Sequence, residues 1–555
     1  MAKNKVPQTS FGFEVIDLFK ESLNEPQKQN MEPIESSKVE AGNKHPGGGY
    51  QPKNGPSKPP APPTSGSNAV VPVKVKIATT GKVNKNKTNI SPSTVVASSK
   101  DALELARENY KEYSKYIAAG RAYPCIIDGA KSSYKRAIYG MWKDSPRSIV
   151  KVAELAAAAL PYHPHPTSIS GVIVALGDGG NKYKFMKTQG NWGDSSKDIQ
   201  PSADRYIGGM ISDTALSLLC DSIEYCNYIT GELDKPEPEA LPTLLPLVFI
   251  NGAQGIPAGL PKLNIPCLDI AGMFDYYIDV LKAKDLDYKP KKLPIPNIGT
   301  DILSPKADWE TVLQTGKGSI RLAPKMTIDK DGTITITALP PSKTVEHVRK
   351  IIEKEILLDK ADLRDESTYD TRIVIEKVYK KQCNMQELFK RLYTKLQASE
   401  AYNMAFFDQQ YIYVPASFHS VVKANLKYLI DTHNNRLVQQ IAENRDKLLI
   451  LQIIESLKKT NNWKDIFDLS YDDAVNYIAT SFKAGTTEIA KEVLKKPMSY
   501  LTRAHDQEIL DLQKLIKELE DDHSDIYEML IKKYRTVKNK MLKEINENVT
   551  IFVNN

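Results

Sequence analysis

The sequence predicts a mostly helical α+β protein, and three observations carry that expectation. Between Asp101 and Gly177, short amphipathic helices follow one another closely and give way to the strand-like KYKFMKTQG. That succession predicts a winged-helix arrangement; in helix-turn-helix relatives of that motif one helix enters the major groove of DNA. From about Asp301 to Glu376, alternating apolar and polar residues dominate in GSIRLAPKMTI, TITITAL and TRIVIEKV, the period of half-buried strands. From Val421 onward, apolar residues recur at i, i+3, i+4 and i+7 through two long runs, as expected of two arms forming an antiparallel coiled coil.

In chain order, residues 1–100 come first. His45–Pro72 is rich in Pro, Gly and Ser, and residues 51–100 hold eight Lys and no acid. Such a segment buries too little apolar surface to offset the entropy of ordering it. Within it, FGFEVIDLFKESL (Phe11–Leu23) aligns Phe11, Val15, Leu18 and Phe19 on one helical stripe, either a transient helix or a docking peptide for a partner. DALELARENYKEYSKYIAAG, Lys131–Trp142, Ser148–Leu160 and Pro166–Gly177 read as four helices. Leu247–Ile250 reads as a buried strand, and Asp331-Gly332 within IDKDGTI as a hairpin turn. Asp329-x-Asp331-Gly332 resembles the start of a calcium loop, but the later acidic ligands are missing, which favours the plain turn. The arms span Val421–Lys459 and Asp506–Ile545, with smaller helices between.

Composition narrows the function. The 555 residues are 41% hydrophobic and 26% charged, ordinary for a chain with sizeable cores. No run of about 18 apolar residues predicts a membrane span, and MAKNKVPQTS lacks the apolar core of a secretory signal. Five cysteines form no CxxC, which fits a reducing, cytoplasmic setting better than a disulfide framework or zinc site. The net charge is +7, yet residues 1–100 carry 14 Lys against 7 acidic residues, so the rest of the chain balances at 61 of each sign. A nucleic-acid surface on the body must therefore be a local basic patch.

Four clusters carry chemistry. Gly120–Trp142 gathers Arg121, Lys131, Lys135 and Arg136 around a turn and a helix start, suited to phosphate contacts. Pro161–Gly171 holds His163 and His165 between prolines; lacking a third ligand nearby, they fit phosphate contact or proton transfer better than metal, and a structural role stays open. Gln189–Met210 ends in Arg205-Tyr206. A free tyrosine has a pKa of about 10 and needs help to attack at neutral pH, help that a neighbouring arginine supplies by stabilising charge on a phosphate. Glu239–Pro266 places Ile256 between Gly255 and Pro257, where it is either core or a wedge between base steps.

In this order and at these spacings, the clusters resemble the A-type, breakage–reunion subunit of type IIA DNA topoisomerases, the kind seen in gyrase, topoisomerase IV and the medium subunit of phage enzymes. RAYPC…DGAKSSYKR stands for the family's RALPD…DGLKPVxRR, and YHPHPTS for YHPHGDS. KTQGNWG followed by RYIG stands for DGQGNFG and RYTE. PLVFINGAQGIPAGLPKLNIP and LRDESTYDTRIVIE match two further family segments. Cys125, Pro166-Thr167 and Lys187-Thr188 depart from the pattern.

The resemblance implies a winged-helix domain over residues 101–265, a tower-like α/β domain over 266–415, and coiled-coil arms with a C-terminal dimerisation gate over 416–555. Tyr206 is then the nucleophile that joins the 5′ end of DNA, with Arg205, Arg121, His163 and His165 around the same phosphate. Lys131, Lys135, Arg136 and Ser168 face DNA, and Ile256 bends the duplex by insertion. Neither GxxxxGK[ST] nor an acidic Toprim set occurs, so Mg²⁺ and ATP are expected on an ATPase/Toprim partner subunit. The assembly is a homodimer within a heterotetramer acting on double-stranded DNA in the cytoplasm of a bacterium or a phage-infected host. No DNA-wrapping propeller follows Ile545, which points to relaxation and decatenation rather than negative supercoiling. An architectural DNA-binding protein and a meiotic-type break-inducing protein are the alternatives; the first leaves Arg205-Tyr206 unexplained, the second the long C-terminal arms.

Overall fold

The computed structural model describes residues 102–195, 199–257, 259–297, 299–359, 361–367, 371–377, 384–460, 466–482, 486–497, 499–500 and 503–553. The Lys-rich segment and the Phe11–Leu23 stripe lie outside the described residues. From Ala106 onward the chain forms one compact unit of mixed helix and sheet. Among the described residues no helix is long and apolar enough to cross a membrane.

The predicted first helix is α1, Ala102–Ile117, which gives way to a π-helical turn over Ala118–Ala122. Next come α2 (Ser132–Asp144), β1 (Val150–Lys151), α3 (Val152–Ala159) and α4 (Pro166–Leu176). The helix expected from Ser148 starts only at Val152, because Val150 and Lys151 pair with Gly209 and Gly208 as a strand. β2 (Met186–Gln189) and β3 (Gly208–Ile211) complete a three-stranded sheet in the order β1-β3-β2. The three helices pack on one another beside it. Buried Ile138, Leu155, Ile169, Ile173 and Trp192 belong to its core. A separate two-stranded ribbon follows, β4 (Tyr228–Thr230) with β5 (Pro236–Pro238).

Leu247–Ile250, expected as a strand, is instead the start of the short buried helix α5, Leu247–Asn251. Four consecutive apolar residues fit either form, and here surrounding core decides. β6 (Ala253–Gly255) and β7 (Leu263–Ile265) form a hairpin, followed by α6, Ile270–Ala283. β8 (Asp301–Ile302), α7 (Lys306–Thr315) and β9 (Lys317–Ala323) follow. Together with β14 (Ala398–Asn403), these strands make a five-stranded sheet, β6-β7-β14-β9-β8. The expected boundary at residue 265 thus falls inside a continuous sheet, since Asn264 of β7 pairs with Asn403 of β14.

A four-stranded sheet has its own core. It contains β10 (Lys325–Ile328), β11 (Ile334–Ala338), β12 (Ala361–Asp365) and β13 (Ile373–Lys377). Its apolar residues pack with those of α8 (Val345–Asp359) and α9 (Met385–Lys395). The predicted Asp331-Gly332 turn joins β10 to β11; Gly332 donates to the Asp329 carbonyl at 3.0 Å with φ of 91°, where only glycine is unstrained.

The first arm is one 43-residue helix, α10, Phe418–Thr460. The second is two helices, α11 (Asp506–Ser524) and α12 (Ile526–Val553). Asp525 breaks it, with φ −135° and ψ 68°, and its carboxylate caps the next turn by accepting from Glu528 N–H at 3.2 Å. Only α11 runs along α10. Arg445 pairs with Glu520, and Lys458 reaches the Arg503 carbonyl, so the two helices are antiparallel. α12 packs on α6 instead, burying Leu530, Tyr534, Val537 and Met541 in the main core.

His433 of α10 is fully buried where α12 meets the body, beside Ser222, Asp221 and Arg436. Burial, then Arg436, pushes it down to about 3; the nearby Asp221 is matched by Lys533. An unfolded histidine takes up a proton near pH 6.5, while this one stays neutral. Its contribution is therefore complete above pH 6.5 and is lost as pH falls, by at most about 1.4 kcal/mol per pH unit. Thermal melts from pH 8 to pH 5 should show a falling midpoint, with a shallower slope in His433→Gln.

Candidate active site

Tyr206 lies in the turn that delivers the chain into β3, and its side chain is 65% exposed. The backbone beneath it is fixed on both sides. Tyr206 N–H donates to Ala203 O at 2.9 Å, its carbonyl accepts from Lys151 Nζ at 3.1 Å, and Ile207 O accepts from Val152 N–H at 3.1 Å. Trp192 of the QGNWG motif is buried under the approach to this turn and donates its indole N–H to Gly208 O at 3.1 Å. A Cβ on Gly209 would sit 2.5 Å from that indole, so the glycine is required by close approach. An exposed phenol on a rigid buried base can keep one position without being covered.

Arg205 stacks on the phenol, its guanidinium carbon 4.6 Å from the Tyr206 ring centroid. This is a cation–π arrangement that leaves the guanidinium edge free to meet an anion held at the phenol. Ser170 Oγ donates to Asp204 Oδ2 at 3.3 Å, tying the turn to α4.

The histidine pair lies at the other end of α3. His163 and His165 rings are 5.0 Å apart and nearly perpendicular. His163 is 7% exposed, and among the described residues neither of its ring nitrogens has a hydrogen-bond partner. Burial first, then the neighbouring guanidiniums of Arg136 and Arg121, hold it below its ordinary range. His163 is therefore neutral at pH 7, with one nitrogen free to donate and one to accept. His165 Nε2 lies 3.9 Å from Glu232. Pro166, a departure from the resemblance pattern, takes the first position of α4, where a missing N–H costs nothing. It leaves Ser168 exposed on the first turn.

Arg121 and His165 lie close around His163, and the Tyr206 turn is tied through Asp204 to Ser170, five residues after His165 on α4.

Two expected DNA contacts turn out otherwise. Lys135 is only 8% exposed; its ammonium donates to Glu237 Oε1 at 3.1 Å and to Pro238 O at 2.8 Å. Arg136 donates to Glu237 at 3.0 Å and to Glu232 at 2.6 Å. Lys135 is a buried structural cation rather than a phosphate ligand, because α2 turns that face towards β5. Glu232 and Glu237 were missed in the sequence, since nothing local marks residues about a hundred positions away as partners. Arg121 stays exposed on the π-helical turn.

Ile256 is not core. It is 81% exposed, at the start of the loop joining β6 to β7. That loop is pinned from three sides. Lys131 Nζ donates to Gln254 O at 2.8 Å, and Tyr123 donates its hydroxyl to Pro261 O. A Cβ on Gly255 would meet Ala122 O at 2.2 Å, so only glycine lets the hairpin lie against the turn that carries Arg121. An apolar side chain held in solvent by such anchoring suits insertion into a stack.

Among the described residues, no three His, Cys, Asp or Glu side chains are grouped so as to hold a metal ion.

The family of DNA gyrase and topoisomerase IV A subunits matches residues 121–546. The DNA topoisomerase 4 A subunit of Pseudomonas aeruginosa is 30% identical over 292 residues, covering 49% of this chain and 38% of that protein. The protein of the same name from Synechocystis is 27% identical over 487 residues, 80% of this chain and 52% of that one. The DNA gyrase A subunit of Buchnera aphidicola is 28% identical over 485 residues, 80% and 56% respectively. In the latter two comparisons the chain spans about half the length of its relative.

Proposed function

The chain belongs to the family of DNA gyrase and topoisomerase IV A subunits, and from that premise we propose that it is the breakage–reunion subunit of a type II DNA topoisomerase. Tyr206 Oη attacks a DNA phosphorus; the P–Oη bond forms as the P–O3′ bond breaks, leaving a 5′-phosphotyrosine and a free 3′-hydroxyl. Attack by that hydroxyl reverses the step. The energy of the broken bond is kept in the new ester, so resealing at this site needs no nucleotide. Arg205, on the Tyr206 ring, meets the charge that grows on the phosphate. The observation that carries the reading is the exposed phenol on a rigid buried base with a guanidinium against its ring.

Arg121, His163 and His165 act around the same DNA phosphate, and two copies of the chain, each cutting one strand, form a homodimer. Mg²⁺ and ATP belong to an ATPase/Toprim partner subunit. In this reading α2, α3 and α4 with the β1-β3-β2 sheet form the winged-helix domain. The two larger sheets form the tower, and α10 with α11 forms the arm leading to a dimerisation gate. Relaxation or decatenation follows from passing one duplex through the break in another. The decisive test is covalent capture: with Mg²⁺ and a partner subunit, wild-type protein should leave a denaturant-stable adduct on the 5′ end of cut DNA. A non-covalent complex alone would favour an architectural protein.

Ile256 supplies a further expectation. Unstacking one base step costs a few kcal/mol and needs an inserted apolar group. Ile256→Ala should reduce DNA bending, read as fluorescence transfer between the ends of a labelled duplex, and reduce cleavage with it. Unchanged transfer would remove the wedge assignment.

A further inference from the structure

Arg136 is held by two carboxylates that differ in freedom. Glu237, on β5 and 2% exposed, accepts from Arg136 Nε at 3.0 Å and from Lys135 Nζ at 3.1 Å. Glu232 accepts from Arg136 Nη1 at 2.6 Å, and 35% of its side chain is exposed. It stands on the turn of the β4–β5 ribbon, which Gly231 closes by donating to Lys235 O at 2.8 Å. Rotation of its side chain alone carries the Glu232 carboxylate into solvent, whereas Glu237 cannot leave without stranding a buried ammonium. The Glu232 carboxylate also lies 3.9 Å from His165 Nε2, and it opposes the guanidiniums of Arg136 and Arg121 in the field at His163. Among the described residues, His165 Nε2 and both ring nitrogens of His163 are buried without a hydrogen-bond partner. Glu232 is thus an anion seated among four groups suited to hold a phosphate.

We propose that Glu232 competes with a DNA phosphate for Arg136, so that a duplex seats in this site only by displacing the carboxylate. The proposal rests on the breakage–reunion reading and deepens it with a threshold at that reading's phosphate site. A carboxylate and a phosphate offer a guanidinium the same charge-assisted hydrogen bonds, and two anions on one edge repel each other. The exchange leaves Arg136 paired with Glu237 throughout. The outgoing carboxylate is rehydrated at little cost, because it is already partly exposed. The incoming phosphate has more to gain than the carboxylate it replaces, since it also accepts from an imidazole N–H of His163 or His165. A phosphate that reaches only Arg136 gains nothing over Glu232. One seated against Arg136 and the histidines together does, so the exchange selects for a fully seated duplex over loose attraction to a basic patch.

The test measures binding of a labelled duplex to the full chain by fluorescence anisotropy over a range of salt. Glu232→Gln keeps the side chain's shape and removes its charge. Affinity at low salt should rise about fivefold, the upper end of what a partly exposed ion pair contributes. In the wild type, displaced Glu232 takes a cation from solution and offsets one released by the DNA. The slope of log affinity against log salt should therefore steepen by about one in Glu232→Gln. Asp234→Asn removes a charge from the same turn but not from Arg136; it should leave the slope unchanged and raise affinity by less than about twofold. In an Arg136→Gln background, Glu232→Gln should add nothing, because the disputed guanidinium is gone. Melting midpoints check each fold, and the two exposed turn variants decide the matter alone should Arg136→Gln not fold. An unchanged affinity in Glu232→Gln, equal gains in Glu232→Gln and Asp234→Asn, or a gain that persists without Arg136 overturns the proposal. The covalent adduct formed with Mg²⁺ and a partner subunit is scored separately. An Arg136-dependent gain in a protein that forms no adduct would overturn the breakage–reunion reading and leave the competition for phosphate standing.

Discussion

Tyr206→Phe should form no covalent adduct with DNA in any assay that captures one from the wild type, while binding the same duplex within about twofold. The substitution removes a single oxygen. The ring stays, so Arg205 keeps its stacking partner at about the same place, and the backbone anchors at Lys151 and Val152 do not involve the side chain. Because the phenol is 65% exposed, its hydroxyl satisfies no buried group whose loss would unsettle the fold. Catalysis and binding therefore separate cleanly at this position. The measurement is denaturing electrophoresis of end-labelled DNA after incubation with Mg²⁺ and a partner subunit. An adduct from the phenylalanine variant would place the nucleophile elsewhere. Arg205→Ala is the companion: it should slow adduct formation, as loss of charge stabilisation does, without abolishing it.

The second large effect is on stability. Glu237 is 2% exposed and is the shared partner of Lys135 and Arg136. Glu237→Ala leaves the Lys135 ammonium buried without a carboxylate, and breaking a buried pair from one side costs about 3–5 kcal/mol. At about 2–4 °C per kcal/mol, the melting midpoint should fall by roughly ten degrees. Lys135→Met placed in the same chain should recover much of that loss, because it removes the stranded charge. Glu310→Ala, which breaks a pair whose lysine is 84% exposed, should move the midpoint by less than about a degree or two. If Glu237→Ala melted with the wild type, Lys135 would have to be hydrated in solution, and its place among DNA ligands would reopen.

The candidate residues were visible in the sequence as local clusters. Residue type and neighbours drew attention to Arg205-Tyr206, the histidine pair, Arg121 and Ile256, their expected roles came from the resemblance to the family, and the structure gives each a defined setting. The hairpin at Asp331-Gly332 was equally local, since two turn residues between alternating strands set both the fold of the segment and the need for positive φ. The amphipathic helices α2, α4 and α10 follow from apolar periodicity, which depends on residues within one or two turns of each other.

Tertiary structure alone decided the rest, and the reason is distance along the chain. Lys135 and Arg136 look alike in the sequence, adjacent cations at a helix start. Which is buried depends on Glu237, about a hundred residues later, and on the face that α2 turns to β5. Leu247–Ile250 has no periodicity to separate strand from helix, so the core around it chose the helix. The second arm has apolar spacing throughout, yet Asp525 caps a new helix and α12 leaves α10 for α6. Ile256 was poised between core and surface until Gly255, Lys131 and Tyr123 fixed its loop against the Arg121 turn, holding an apolar side chain in water. Sequence determined which groups can do chemistry. Long-range packing determined which of them are available to do it, because burial and pairing are properties of neighbours in space.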